Sequence, residues 1–151
     1  MDTDDTISTL NDLIEASKDG EYGFRSSAEH ILTADIKQLF MRRAEDCRHA
    51  AAELAALVQQ LGGTAEDSGS ASGALHRGWV AVKSTLSGHS EKAILEEAER
   101  GEDTAMERYR SALEKDLPPE ARALVERQFT GVKLNHAQMR ALRDKARVTT
   151  S

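Results

Sequence analysis

The chain has 151 residues, of which 39% are hydrophobic and only 4% aromatic, and its formal net charge is −6. This acidic balance argues against a nucleic-acid partner, which would need a basic face. The single cysteine, Cys47, excludes an intrachain disulfide and fits a reducing compartment. No stretch approaches the roughly 20 apolar residues of a membrane span, and the acidic residues 1–5 do not resemble a signal peptide. We therefore expect one cytoplasmic, bacterial-type domain without a membrane partner.

Two long helices are predicted in the first half of the chain. Apolar or small residues recur there every three or four positions, which is the pattern of a helix with one face in a core. The pattern predicts a first helix over about 4–32 and a second over 34–61. The second ends at Gly62 and Gly63, because glycine is common just beyond the last turn of a helix.

Two further helices are predicted over about 90–116 and 119–147. Pro118 separates them, because the residue before a proline avoids the helical region of backbone space. Pro119 can occupy the first turn of the last helix, where its missing N–H is not needed.

The connection lengths predict the topology. The first and third connections are only a few residues long, which makes each flanking pair of helices an antiparallel hairpin. The middle connection, 62–89, is too long for a turn. Its apolar residues have helical spacing, so we expect a short helix over about 72–87 anchored by Trp79. One long crossover between two hairpins distinguishes a ferritin-like bundle from an up-down bundle, and we predict an all-α ferritin-like four-helix bundle.

An internal repeat relates the first and third helices. Residues 13–21 align with residues 94–102, and both segments end in Gly-Glu. A glycine in a helix interior costs about 1 kcal/mol relative to alanine. Gly20 and Gly101 therefore suggest either close approach of a neighbouring helix or a local kink.

Glu21 and Glu102 both fall on the apolar stripes of their helices. A buried carboxylate must be paired, hydrogen-bonded or bound to a metal. In di-iron bundles two helices each contribute one Glu and the other two each contribute Glu-x-x-His. Here the second half of that pattern is incomplete, with Asp46-x-x-His49 on the second helix and Lys133-x-x-His136 on the fourth.

Ion pairs are the preferred interpretation of the two glutamates. Counting from the short turns places Glu21 opposite Arg48 or Arg43, and Glu102 opposite Lys133. Such partly buried pairs can specify helix register without adding much stability.

Two alternatives remain open. One is a reduced metal site for iron, manganese or zinc, with Glu21, Glu102 and His136 as ligands; the other is that the glutamates are solvated. Gln128 and Tyr109 lie on the same stripes, and they complete the predicted core polar network.

Several segments resemble a family of uncharacterised bacterial ferritin-like four-helix-bundle proteins, known as a domain of unknown function. The resemblance covers about residues 10–142 and is most specific in Leu75-His76-Arg77-Gly78-Trp79 and Gly101-Glu102-Asp103. It is also carried by residues 10–15, 18–21, 61–63, 73–74, 99–100 and 116–119. The resemblance implies a ferritin-like fold and no established activity. Ferritin and rubrerythrin relatives oxidise iron or reduce peroxide, but their ligand pattern is only half matched.

The function expected first is a non-enzymatic structural or interaction bundle without a cofactor that acts through self-association or a protein partner. An association with stress is expected only by analogy with such families, and the sequence itself does not show it. The alternative is a metal-binding oxidoreductase or metal-storage protein with a degenerate di-metal site. A third reading, a small ligand held between the helices, is favoured only by the small core residues.

Overall fold

The computed structural model describes residues 1–66 and 91–150, with side chains as far as residue 145. Within these ranges the regular secondary structure consists of four α-helices joined by turns. The helices are α1 (Thr3–Ala28), α2 (Ala34–Gln60), α3 (Glu91–Leu113) and α4 (Pro119–Thr150). The predicted crossover helix over 72–87 and Trp79 lie outside the described residues. None of the described helices is long and apolar enough to cross a membrane.

The four helices form two hairpins side by side. Helix α1 packs against α2 and α3, and α4 packs against α3 and more loosely against α2. Helices α2 and α3 therefore face each other across a diagonal of the bundle. Residues near the start of α3 share a core with residues near the α1–α2 turn, whereas α2 ends at the other end of the bundle. Helix α2 therefore ends and α3 begins at opposite ends of the bundle, which is the ferritin-like arrangement of two hairpins.

Helix α1 ends at Ala28, earlier than the predicted residue 32. The backbone tightens there, since Ile31 donates its N–H to the carbonyl of Ala28 at 3.3 Å and its side chain turns into the core. The carboxylate of Glu91 then accepts the backbone N–H groups of Leu32 at 2.8 Å and Thr33 at 2.7 Å. Glu91, at the start of α3, thus accepts the N–H groups just before α2. A side chain from the same turn usually supplies such an acceptor.

Helix α2 ends at the two glycines, as the sequence indicates. Gly62 has φ +87°, a left-handed conformation that favours glycine. Gly63 packs directly on α1, because a Cβ added there would lie 2.7 Å from Ile7. Just beyond, Asn11 donates to the carbonyl of Thr64 at 3.1 Å and so attaches the start of the crossover to α1.

The core consists of two apolar clusters at opposite ends of the bundle. The first comprises Leu10, Leu13, Ile14, Ala51, Leu54, Leu57, Val58, Tyr109, Ala112, Leu117, Ala121 and Val125. The second comprises Phe24, Ala28, Ile31, Leu39, Phe40, Ala44, Ile94, Leu95, Ala98 and Met139. Between them lies a middle layer in which small and polar side chains replace large apolar ones, and the candidate site is there.

Candidate functional site

The centre of the middle layer holds a buried ion pair between Arg43 of α2 and Glu102 of α3. Both side chains are nearly inaccessible to solvent, at 4% and 3% exposure. Arg43 donates from Nη2 at 2.7 Å and from Nε at 3.2 Å, both to Oε1 of Glu102. Its remaining nitrogen, Nη1, donates to Asp46 at 3.0 Å. One guanidinium thus crosses the diagonal of the bundle and links α2 to α3.

Burial and charge act against each other in this pair. Burial raises the pKa of Glu102 above its ordinary range, and the attraction of Arg43 offsets only part of that rise. Burial acts to lower the pKa of Arg43, but the Glu102 carboxylate outweighs it and the pKa is raised. Arg43 therefore stays protonated, and any change of charge in the pair falls on Glu102.

Arg48 and Lys133, which were predicted to pair with the two glutamates, form an ion pair with neither of them. Arg48 pairs with Glu45, one turn away on its own helix, and both side chains are about half exposed. Lys133 is exposed, with its Nζ 4.7 Å from the centre of the Phe129 ring. Lys133 lies five positions from the buried Gln128, and Arg48 lies five from the buried Arg43. Five positions turn a helix by about 140°, which directs each side chain away from the core.

Glu21 is not equivalent to Glu102, although the repeat aligns them. It pairs at 2.8 Å with Arg25 on its own helix, and its side chain is 26% exposed. The residue that faces α2 at this level is Gly20, and Glu21 is rotated about 100° from it. The duplication therefore reproduces the helices, but of the two aligned glutamates it places only Glu102 in the core.

Gly20 explains how closely α1 and α2 approach. A Cβ built at this position would lie 2.9 Å from Sγ of Cys47. At Gly20 the neighbouring helix does approach closely, and the atom that occupies the space of a side chain is the sulfur of Cys47. Burial raises the pKa of the Cys47 thiol to about 12, so the group is a packing element in its neutral form.

A second polar chain links α3, α4 and α2. The hydroxyl of Tyr109 donates to Oε1 of Gln128 at 2.7 Å, and burial raises the pKa of this tyrosine. Gln128 in turn donates from Nε2 to the carbonyl of Ala50 and to Glu53, each at 3.3 Å. A hydrogen bond from Arg127 lowers the pKa of Glu53 and anchors it at the surface. Tyr109 and Gln128 are thus hydrogen-bonded to each other and to α2, and neither is hydrogen-bonded to Glu21.

A cavity of about 250 Å³ lies between these polar groups. All four helices contribute to its wall, through Arg43 and Glu102 on one side and Tyr109 and Gln128 on another. Its exposed lining residues are Asp46, His49 and Arg127, all on α2 and α4. The cavity therefore opens between α2 and α4, the pair of neighbouring helices that packs most loosely.

The residues at the bundle centre do not fit a metal ion. The one buried carboxylate there, Glu102, already accepts two hydrogen bonds from a permanently charged guanidinium, and that charge would repel a cation. Within the described part of the chain, the proposed ligands Glu21, Glu102 and His136 do not form a three-ligand group.

A different acidic group lies at the α3–α4 interface, and sequence reasoning missed it. Ligand atoms of Glu99, Asp103 and His136 all fall within 4.8 Å of one another. His136 contacts Asp103, and the buried Glu99 pairs with Arg140 and Arg143. The signal in the sequence is the four-residue spacing of the two acids on α3 opposite a histidine on α4.

Solved structures define the class of protein to which this fold belongs. A mutant of Dps1 from Mycobacterium smegmatis has a TM-score of 0.78 and 14% identity, covering 93% of this chain and 96% of that one. The bacterioferritin-related protein from Bacteroides fragilis, described as a dodecameric thioferritin, has a TM-score of 0.79 and 17% identity, covering 99% and 91%. The predicted ferritin-like four-helix bundle is thereby confirmed, and at these identities the likeness extends to the fold alone.

The family is also identified. Residues 5–115 match the family described as Domain of unknown function (DUF2383), and the chain belongs to that family. This confirms the family resemblance seen in the sequence. No curated protein matches the chain.

Proposed function

We propose that this protein is a non-enzymatic ferritin-like bundle that acts by assembling with copies of itself. The observation that carries the proposal is the Arg43–Glu102 ion pair at the bundle centre. A di-metal centre in this fold needs several inward-facing carboxylates, and here a guanidinium takes up the central one. A buried ion pair of this kind maintains the relative register of two helices and offers no reactive group to a substrate.

The outer face of α4 supplies a surface suited to assembly. Four of its exposed residues follow the three-and-four spacing of a helix-packing seam, namely Thr130, Leu134, Ala137 and Ala141. Leu134 is 69% exposed, which is unusual for a leucine in the middle of a helix. Small residues around one leucine allow a second helix to approach closely.

The comparison with solved structures is consistent with assembly. The similar Bacteroides fragilis protein is described as dodecameric. Only the fold is shared at this identity, so the likeness supports self-association in general and not that number of subunits.

The experiment is to measure the molar mass of the full chain in solution by light scattering after size exclusion and by sedimentation velocity. We expect a defined oligomer that Leu134→Glu dissociates, because the new charge would be buried in the seam. Leu32→Glu is the matched control, since Leu32 is 94% exposed at the α1–α2 turn and lies off the seam.

Three results would contradict the proposal. A monomer at all concentrations would remove self-association, and dissociation by Leu32→Glu alone would place the interface at the α1–α2 turn instead of on the seam of α4. Stoichiometric iron, manganese or zinc in protein purified without a chelator, lost in Glu102→Gln, would place metal chemistry at the bundle centre after all.

Metal binding outside the bundle centre is a second candidate function. It is favoured by the convergence of Glu99, Asp103 and His136. Carboxylate and imidazole ligands suit zinc, manganese or iron. Against it, Arg140 and Arg143 both contact Glu99, so a metal would have to displace two cations.

Calorimetric titration with zinc or manganese separates the two candidates. Binding that disappears in His136→Ala but persists in Glu97→Gln, a variant of the carboxylate paired with Arg100 on the same helix, would support metal binding at this cluster. Absence of binding in the wild type leaves the cluster as an ion-pair network between α3 and α4.

A further inference from the structure

The cavity in the middle layer has the character of a small-molecule site. Its wall combines apolar and small residues with a few convergent polar groups, as ligand pockets usually do. The small residues are Ala16, Gly20, Ala50, Gly101, Ala105 and Gly131. At about 250 Å³ it exceeds the roughly 150 Å³ apolar cavity that accommodates benzene.

Oε2 of Glu102, in the cavity wall, has no hydrogen-bond partner among the described residues. Both hydrogen bonds from Arg43 go to Oε1 of Glu102, and Oε2 accepts none from the described residues. This oxygen is not among the described side-chain atoms that are fully buried without a partner, so it keeps some accessible surface at which a small molecule can donate a hydrogen bond. The nearby Tyr109 hydroxyl already donates to Gln128 and cannot also serve it.

The remaining lining determines which ligand would fit. Phe24 contributes an aromatic face, and the thiol of Cys47 is neutral. The charge of Glu102 is already offset by Arg43, so the cavity has no unpaired cation with which to attract an anion. A ligand therefore needs an apolar body and one O–H donor.

We propose that this cavity binds one small, mainly apolar molecule that carries a hydroxyl group, such as a phenol or a compact alcohol, with its O–H donated to Oε2 of Glu102. The ligand would enter between α2 and α4, where the cavity opens. This inference is independent of self-association, because it concerns the interior of one bundle and not the seam on α4.

The test uses two probes of similar shape, p-cresol and p-xylene, which differ by a hydroxyl in place of a methyl group. Backbone amide signals of Gly101 and Gly131 are followed by NMR while each probe is titrated into the full chain. We expect p-cresol to bind roughly tenfold more tightly or better, since a hydrogen bond to a charged acceptor discriminates by about that factor. In Glu102→Gln the p-cresol preference should fall at least threefold, because a neutral amide makes a weaker bond.

A variant that fills the cavity keeps the test decisive if Glu102→Gln folds poorly. Gly131 lines the cavity, and a Cβ added there meets no atom within 4 Å. Gly131→Leu should therefore fold and abolish binding of both probes. Gln138→Leu, which adds the same side chain at an exposed position of α4 outside the cavity, should bind like the wild type.

Three results would overturn the proposal. Equal affinity for the two probes would show that no polar group recognises the ligand. Unchanged binding in Gly131→Leu would place the ligand elsewhere. No response to either probe in the wild type would mean that the space holds water only.

Discussion

Replacing Gly20 with alanine tests how tightly α1 and α2 approach. The new Cβ would lie 2.9 Å from Sγ of Cys47, well inside the usual separation of about 3.5–4.0 Å. The next atom, Cβ of Cys47, is 3.8 Å away and would be an ordinary contact. The substitution therefore creates one clash, and that clash is with a single sulfur atom.

Two opposing effects determine the free energy of unfolding in this variant. Alanine is favoured over glycine in a helix interior by about 0.5–1 kcal/mol. Overpacking in a close-packed core costs about 1–3 kcal/mol. We expect Gly20→Ala to be neutral or to destabilise the protein by up to about 2 kcal/mol.

The sign should reverse when the sulfur is removed. In a Cys47→Ala background the clash disappears, and Gly20→Ala should stabilise the protein by about 0.5–1 kcal/mol. The coupling energy between the two positions is then about 1–3 kcal/mol. Gly131→Ala is the matched control, because it also replaces a mid-helix glycine but its Cβ meets no atom within 4 Å.

Urea unfolding followed by circular dichroism, under reducing conditions, measures all the variants. The slope against urea should stay constant, so that shifts of the midpoint report stability. Equal stabilisation by Gly20→Ala in both backgrounds would refute the reasoning, because the sulfur would then not limit the approach of the helices.

Three further predictions concern titratable groups. Because burial raises the pKa of Glu102, the stability that its neutral form contributes is present at low pH and is lost as the pH rises above about 4.3, the ordinary pKa of a glutamate; the wild type should therefore lose stability relative to Glu102→Gln as the pH rises. The opposite trend would mean that the attraction of Arg43 exceeds the cost of burial. Hydrogen bonds from Thr33 outweigh burial and lower the pKa of Glu91, so its stabilisation is present above about pH 4.3 and lost below it. Glu91→Ala should lower the free energy of unfolding by about 1 kcal/mol at neutral pH, as loss of a helix cap does. The control variant Glu114→Ala, at an exposed position, should leave it unchanged. A loss of stability in Glu91→Ala that is equally large at low pH would contradict the prediction. The Cys47 thiol should react with a disulfide reagent at least a hundredfold more slowly in the folded than in the unfolded protein, because few thiolates form with a pKa of about 12; similar rates would show that the thiol is accessible.

The elements were predictable because local signals determine them. Helix α2 ends just before Gly62, because glycine readily adopts a left-handed backbone conformation. Helices α3 and α4 are separated at Pro118, because a proline keeps the residue before it out of the helical conformation. The end of α1 was less predictable. The turn that follows α1 is stabilised by Glu91, which lies far away in the sequence and accepts the N–H groups of Leu32 and Thr33.

The sequence singled out several residues of the candidate site but not the pairs that they form. Glu102, Arg43, Tyr109 and Gln128 were all singled out because they lie on the inward faces of their helices, and they do line one cavity. Their pairing was not predicted, since Glu21 was placed opposite Arg48 or Arg43, and Glu102 opposite Lys133. Counting residues from a turn compares neighbouring helices of one hairpin and cannot anticipate a long side chain that crosses the diagonal.

The sequence by itself determined four helices, two hairpins, a long crossover and membership of a family, because periodicity and turn residues are local properties of the chain. Only the tertiary structure decided which carboxylate is buried. Gly20 and Gly101 occupy equivalent positions in the repeat, yet Glu21 lies at the surface and Glu102 in the core. The physical reason is that burial of a charge depends on its partner, and a cation reaches Glu102 only after two hairpins have packed together.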